Sequence, residues 1–110
     1  MSDMTKEQRE HMRKLAATCY EKEMAHALDT LYEEFKRWKN DEIGTWDLND
    51  KIHQHYNGTA RDLWKTFEQL NDPRVALSQA IIKGIINLDD VHENCRPMLQ
   101  GLIDAYRNDA

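Results

Sequence analysis

Four groups of residues carry side chains whose types and spacing could do chemistry. Glu23-Met24-Ala25-His26 sets a carboxylate and an imidazole three residues apart, the spacing that turns two metal ligands inward on the helices of di-iron bundles. Such a centre needs a second pair and two further carboxylates, and the nearest echoes are Asp50-Lys51-Ile52-His53 and Asp89-Asp90-Val91-His92. Glu23 and His26 are therefore weak metal candidates, a solvated pair is the simpler reading, and no cofactor is expected. His53 and His55 flank Gln54 and point to different sides of a helix, so they cannot share one ion. Neither has a Ser, Cys or acidic partner at close spacing, and no catalytic residue is assigned. The third group is Gly58-Thr59-Ala60-Arg61. If a helix begins at Thr59, Arg61 sits in its first turn, where a cation opposes the helix dipole. Free N–H groups, the Thr59 hydroxyl and the Arg61 fork would then make an anion pocket, with His53 near enough to join. The simpler reading pairs Arg61 with Asp47, Asp50 or Asp62. The last group is Cys19 and Cys95, far apart and outside any Cys-x-x-Cys, which read as reduced thiols in or near the core.

The elements that must position these groups all read as helices. No β-branched and polar residues alternate for long, and glycines and prolines fall where helices should stop. Thr5 and Gln8 form a capping box for a long first helix ending near Trp38, with Lys36, Arg37 and Lys39 in its last turn. Thr45 caps a second helix that Asn57-Gly58 ends in a left-handed turn. Thr59 with Asp62 caps a third, running to Asn71. Asp72-Pro73 opens a fourth that reaches about Asn87, Asp89-Asp90 starts a single turn, and Pro97 opens a fifth through Tyr106. The expected architecture is one all-α domain spanning 1–110, a compact bundle of about five helices.

Faces follow from a 100° advance per residue. Leu63, Trp64, Phe67 and Leu70 make one stripe, and Leu99, Leu102, Ile103 and Tyr106 another. The fourth helix is apolar on two sides, with Leu77, Ala80 and Ile81 opposite Val75, Ile82 and Ile86, as expected of the central helix of the bundle or of one side of an oligomer interface. The first helix poses a problem. Met24, Leu28, Leu31, Phe35 and Trp38 form a coiled-coil-like seam, while Met12, Leu15, Ala16 and Cys19 form a second stripe about 120° around the cylinder. One straight helix cannot turn both to one core. Either it bends or breaks near Tyr20, or residues 1–20 are an arm for oligomerisation or partner binding.

The chain has 110 residues, 15 Lys and Arg against 20 Asp and Glu, and a formal charge of −5. That length supports one modest core. The acidity leaves no basic stripe for a nucleic-acid backbone and suits docking onto a basic protein. No run approaches the roughly 20 apolar residues of a membrane span. The N-terminus lacks a signal peptide's basic end and apolar core, so the expected location is the cytoplasm.

The central segment carries a resemblance. Leu31-Tyr32-Glu33-Glu34-Phe35, Glu42-Ile43, Asp50-Lys51-Ile52-His53, Gly58 and Arg61-Asp62-Leu63-Trp64 together resemble a group of small uncharacterised bacterial helical proteins. His55 and Tyr56 depart from that group's Ile-His-x-Phe-His pattern. The resemblance covers roughly residues 28–64 and implies a small bacterial cytosolic protein without a stated activity. The functional expectation is a non-enzymatic, self-associating protein-interaction or regulatory module. Its candidate surface combines Met12, Leu15 and Cys19 with Trp46, His53, Tyr56, Thr59 and Arg61. The alternative is a small-anion or phosphate-metabolite binder, or an enzyme, using His53, Thr59 and Arg61.

Overall fold

The computed structural model describes residues 4–69 and 72–108, and every regular element among them is helical. α1 is Lys6–Lys39. α2 is one continuous run over residues 45–69, in which α-helical turns at Thr45–Gln54 and Ala60–Trp64 alternate with π-helical turns at His55–Thr59 and Lys65–Gln69. α3 is Pro73–Ile82 and α4 is Arg96–Asn108. Two single 3-10 turns, Leu88–Asp90 and Glu93–Cys95, lie between them. Four helices stand where five were expected, because Gly58 does not stop α2.

The backbone stays right-handed helical at Gln54, His55, Thr59 and Ala60, and the helix absorbs the glycine by widening into a π turn. Among the described residues only Asp41 (φ 59°) and Gly84 (φ 80°) take positive φ. Both close a helix. At the end of α1, Asp41 N–H donates to the Trp38 carbonyl (3.1 Å) and Glu42 N–H to that of Arg37 (2.8 Å). At the end of α3, Gly84 N–H donates to Ile81 (3.0 Å) and Ile85 N–H to Ala80 (2.9 Å). Each is a Schellman pair. α3 therefore stops before the expected Asn87, and Ile86 is buried from the following loop instead. Leu70 and Asn71, the expected end of the third helix, lie outside the described residues. A cheap test separates a helical Gly58 from a left-handed one. An added Cβ there meets nothing within 4 Å, so Gly58→Ala should raise stability by about 0.5–1 kcal/mol in a urea titration. A left-handed glycine would lose stability on the same change.

α1 is unbroken at Tyr20, so the break that the two stripes offered as one alternative does not occur. Its two stripes serve different neighbours at different heights. In the first half Met12, Ala16 and Cys19 are buried with Leu77, Ala80, Val91, Cys95, Leu99 and Ile103 from α3, the turns and α4. In the second half Ala27 is buried and Leu31 half-buried beside α2. The helix stays continuous because it need not satisfy one core with both faces. α3 lies between α1 and α4, the central place expected of it, with Pro73, Ala76, Leu77, Ser78, Ala80 and Ile81 buried. Its other apolar side is only partly covered, Ile82 remaining 37 % exposed.

The result is elongated rather than compact. The principal extents are 54 × 28 × 23 Å and the radius of gyration is 17.2 Å, against about 13 Å for a compact chain of this length. Thirty-four residues at 1.5 Å each make α1 alone about as long as the whole molecule. A three-helix core occupies one end, and the hairpin of α1 and α2 projects from it.

Local bonds fix these ends. Thr5 and Gln8 form the expected capping box, Gln8 N–H donating to Thr5 Oγ1 (3.0 Å) and Thr5 N–H to Gln8 Oε1 (2.8 Å). Gln8 Nε2 also donates to the Asn94 carbonyl (3.1 Å), and His92 N–H donates to His11 Nε2 (3.0 Å), tying α1 to the turns before α4. α2 is capped by Gly44, whose N–H donates to Asp47 Oδ2 (2.9 Å). Thr45, the expected cap, accepts a bond from Trp38 Nε1 instead (3.2 Å) and pins the hairpin tip.

Asp72 caps α3, accepting from Arg74 N–H (3.0 Å) and from both arms of the Arg74 guanidinium (3.1 and 3.0 Å). That hydrogen-bonded guanidinium holds the Asp72 carboxyl below its ordinary value, outweighing partial burial. A depressed folded value means stability that is present above about pH 4 and lost as pH falls through the folded value. Because both side chains are about one-third exposed, the expected contribution is under ~1 kcal/mol. The gap in urea midpoint between the natural chain and Asp72→Asn should thus be small at pH 7 and vanish in acid.

Candidate functional site

The structure relocates most of the residues singled out by spacing. Met12 and Cys19 are 0 % exposed and Leu15 is half-buried against the same core. They form the chain's own interior, so the expected docking stripe along residues 1–20 is corrected. Small Ala16 and Cys19 let α1 approach its neighbours closely, and Met12 fills the space between them. The thiols of Cys19 and Cys95 are pushed up by burial, Asp90 and Glu23 adding to the effect on Cys19 and Lys22 opposing it. Neither is a poised nucleophile.

The anion corner does not form. Thr59 and Arg61 lie inside continuous α2, so no helix start offers free N–H groups there. Two clefts flank the α1–α2 seam and divide the expected site between them. The first, about 300 Å³, takes Glu23, His26 and Glu34 from α1 with Lys51, His55 and Thr59 from α2, around Ala27 and Leu31. The second, about 390 Å³, lies across the seam and takes Tyr20 and Met24 with Tyr56, Arg61 and Trp64. His53 is exposed and lines neither. Arg61 makes no ion pair among the described residues, which also sets aside the expected pairing with Asp47, Asp50 or Asp62.

This first cleft brings two carboxylates, two imidazoles and an ammonium to one seam. Nothing in it orients a nucleophile. The Thr30 hydroxyl donates back to the His26 carbonyl (3.1 Å). Among the described residues no three His, Cys, Asp or Glu side chains gather to hold a metal ion, so Glu23 and His26 are not completed into a centre.

The second side is apolar and open. On α1 Leu28 is 51 % and Phe35 38 % exposed, the outward members of the expected seam, and Tyr32 beside them is 62 % exposed. On α2 Ile52 is exposed one helical turn before Tyr56, which is 74 % exposed, and Trp64 is 42 % exposed. Met24 joins the two helices through the cleft it shares with Tyr56 and Trp64. Trp64 was expected inside. Each π turn uses an extra residue, so the phase of α2 slips, and Leu63 turns inward while Trp64 faces out. Phe67 does pack inward, stacked on Tyr20 with centroids 5.2 Å apart. Trp46, 78 % exposed in the first turn of α2, stands at the hairpin tip. Of the expected surface, Tyr56 and Arg61 lie on this apolar side. The signal missed in the sequence is the stripe Leu28, Tyr32 and Phe35: the expected seam groups Leu28 and Phe35 with Leu31 and Trp38 and leaves Tyr32 out.

These features define an all-α protein in which a helical hairpin extends from a three-helix core. No family model, curated protein or solved structure matches the chain. Among the described residues no helix is long and apolar enough to cross a membrane.

Proposed function

We propose that this chain is a self-associating interaction module that works through the apolar side of its α1–α2 hairpin. One observation carries the reading. Leu28, Tyr32, Phe35, Ile52, Tyr56 and Trp64 are all more than one-third exposed on the part of the molecule that projects from the core. From the size of these side chains they leave roughly 600 Å² open, at the top of what monomers show and near the ~800 Å² per partner of a standard interface. Tyrosine and tryptophan are the residues that most often anchor such contacts. The segment carrying the resemblance to small bacterial helical proteins, roughly 28–64, is largely this hairpin.

Amide hydrogen exchange at low and high protein concentration tests the reading. Protection should rise with concentration over residues 24–36 and 52–64 and stay constant in α3 and α4. A profile independent of concentration, or one that changes in residues 6–20 instead, contradicts it.

A further inference from the structure

Resting on that reading, a more specific arrangement follows from one stripe of α1. Glu21, Ala25, Leu28, Tyr32, Phe35 and Lys39 are spaced 4-3-4-3-4, the repeat of a coiled-coil seam, and all six are exposed. Their order is charge, small, large, large, large, opposite charge. Glu21 and Lys39 lie nine residues either side of Thr30, Ala25 and Phe35 five, and Leu28 and Tyr32 two. We propose that a second copy of this chain covers the stripe, its α1 running antiparallel about a two-fold axis level with Thr30. Glu21 then meets the partner's Lys39, Phe35 fills the space over the partner's Ala25, and Leu28 packs on the partner's Tyr32.

Three observations favour this occupant and this direction. A two-fold contact must be self-complementary, and the stripe is so only when antiparallel. A parallel pair would stack Glu21 on the partner's Glu21 and Lys39 on the partner's Lys39. Second, two neighbouring charge pairs are already closed inside α1: Glu33 with Lys36 (3.3 Å) and Glu34 with Arg37 (3.1 Å). Glu21 and Lys39 have no ion-pair partner among the described residues, and Lys39 Nζ is held 5.1 Å over the Trp38 ring at the helix end. Third, Leu28 follows Ala27, which is buried beside α2, by one residue and so by about 100° around α1. That is the angle at which a helix in a four-helix bundle sees its second neighbour. Two hairpins joined this way close a four-helix bundle, with Met24 and Phe35 turned toward its centre.

Zero-length carbodiimide cross-linking of the full chain, read by peptide mass spectrometry, tests the register. The expected product joins Glu21 to Lys39. Eighteen residues along one straight helix separate these two by about 27 Å, so the link can form only between copies. Glu21→Lys alone should weaken association about tenfold, because like charges then meet at both ends of the pair, and Glu21→Lys with Lys39→Glu should restore it. Both substitutions fall on exposed positions, and circular dichroism should show the helical content of the unmodified chain. A chain of twice the monomer mass with neither the cross-link nor the rescue overturns the register and leaves self-association standing. A chain that stays monomeric overturns both.

Discussion

Leu28→Glu combined with Tyr32→Glu should leave the chain folded and strictly monomeric. In a single copy both positions are open, at 51 % and 62 % exposure, so each change should alter folding stability by no more than about 0.5 kcal/mol. In the pair, position 28 faces the partner's position 32, and the double variant brings four carboxylates together at the two-fold axis. Burying an unpaired carboxylate costs several kcal/mol, and like charges add to that, so the dissociation constant should rise by on the order of 1,000-fold or more. Size exclusion and a urea titration read the two quantities separately. A doubly substituted chain that keeps its oligomeric mass would place the interface elsewhere; one that unfolds would mean the stripe is core.

Leu99→Ala should have the opposite character, a large loss of folding stability with no direct effect on the hairpin surface. Leu99 is 0 % exposed and sits in the cluster formed by Met12, Cys19, Leu77 and Ile103. Deleting its side chain removes apolar contact and leaves a cavity that the packed helices around it cannot fully collapse into, an expected loss of about 3 kcal/mol. Against a total of 5–15 kcal/mol for an ordinary domain that is a large fraction. Calorimetry should show the midpoint falling by on the order of 15 °C. Phe35→Ala removes a larger side chain but one that is 38 % exposed in the single copy, and in the dissociated chain it should cost about 1–2 kcal/mol, less than Leu99→Ala. If Phe35→Ala were the costlier change at low concentration, the assignment of core to the other end of the molecule would be wrong.

Much of the framework was legible because it is written in local chemistry. Thr5 with Gln8 and Asp72 with Pro73 mark helix starts through side-chain bonds to nearby N–H groups, and the structure contains both. The stripe of Leu99 and Ile103 in α4 needed only the helical period. The faces of α1 were legible too, but not what covers them. Periodicity says which residues share a side, and hydrophobicity made the seam of Leu28 and Phe35 look more interior than Met12, Ala16 and Cys19. Small residues permit close helix approach, and that, rather than apolar content, decided which stripe α3 and α4 cover.

The candidate site failed for a related reason. The anion pocket required Gly58 to end a helix so that Thr59 could begin another. Turn propensity at Asn57-Gly58 is worth about 1 kcal/mol, less than the packing that keeps α2 continuous from Leu48 to Leu63. π turns leave no composition signal, so the slip that exposes Trp64 and parts Thr59 from Arg61 had nothing in the sequence to announce it.

Light scattering of the unmodified chain across a hundredfold range of concentration tests the central claim most directly. The expected mass rises with concentration to twice the 13.0 kDa of one chain and goes no higher, since a closed two-fold pair leaves no stripe open. A mass that holds at one chain throughout, with Leu28, Tyr32 and Phe35 still facing water, would contradict it.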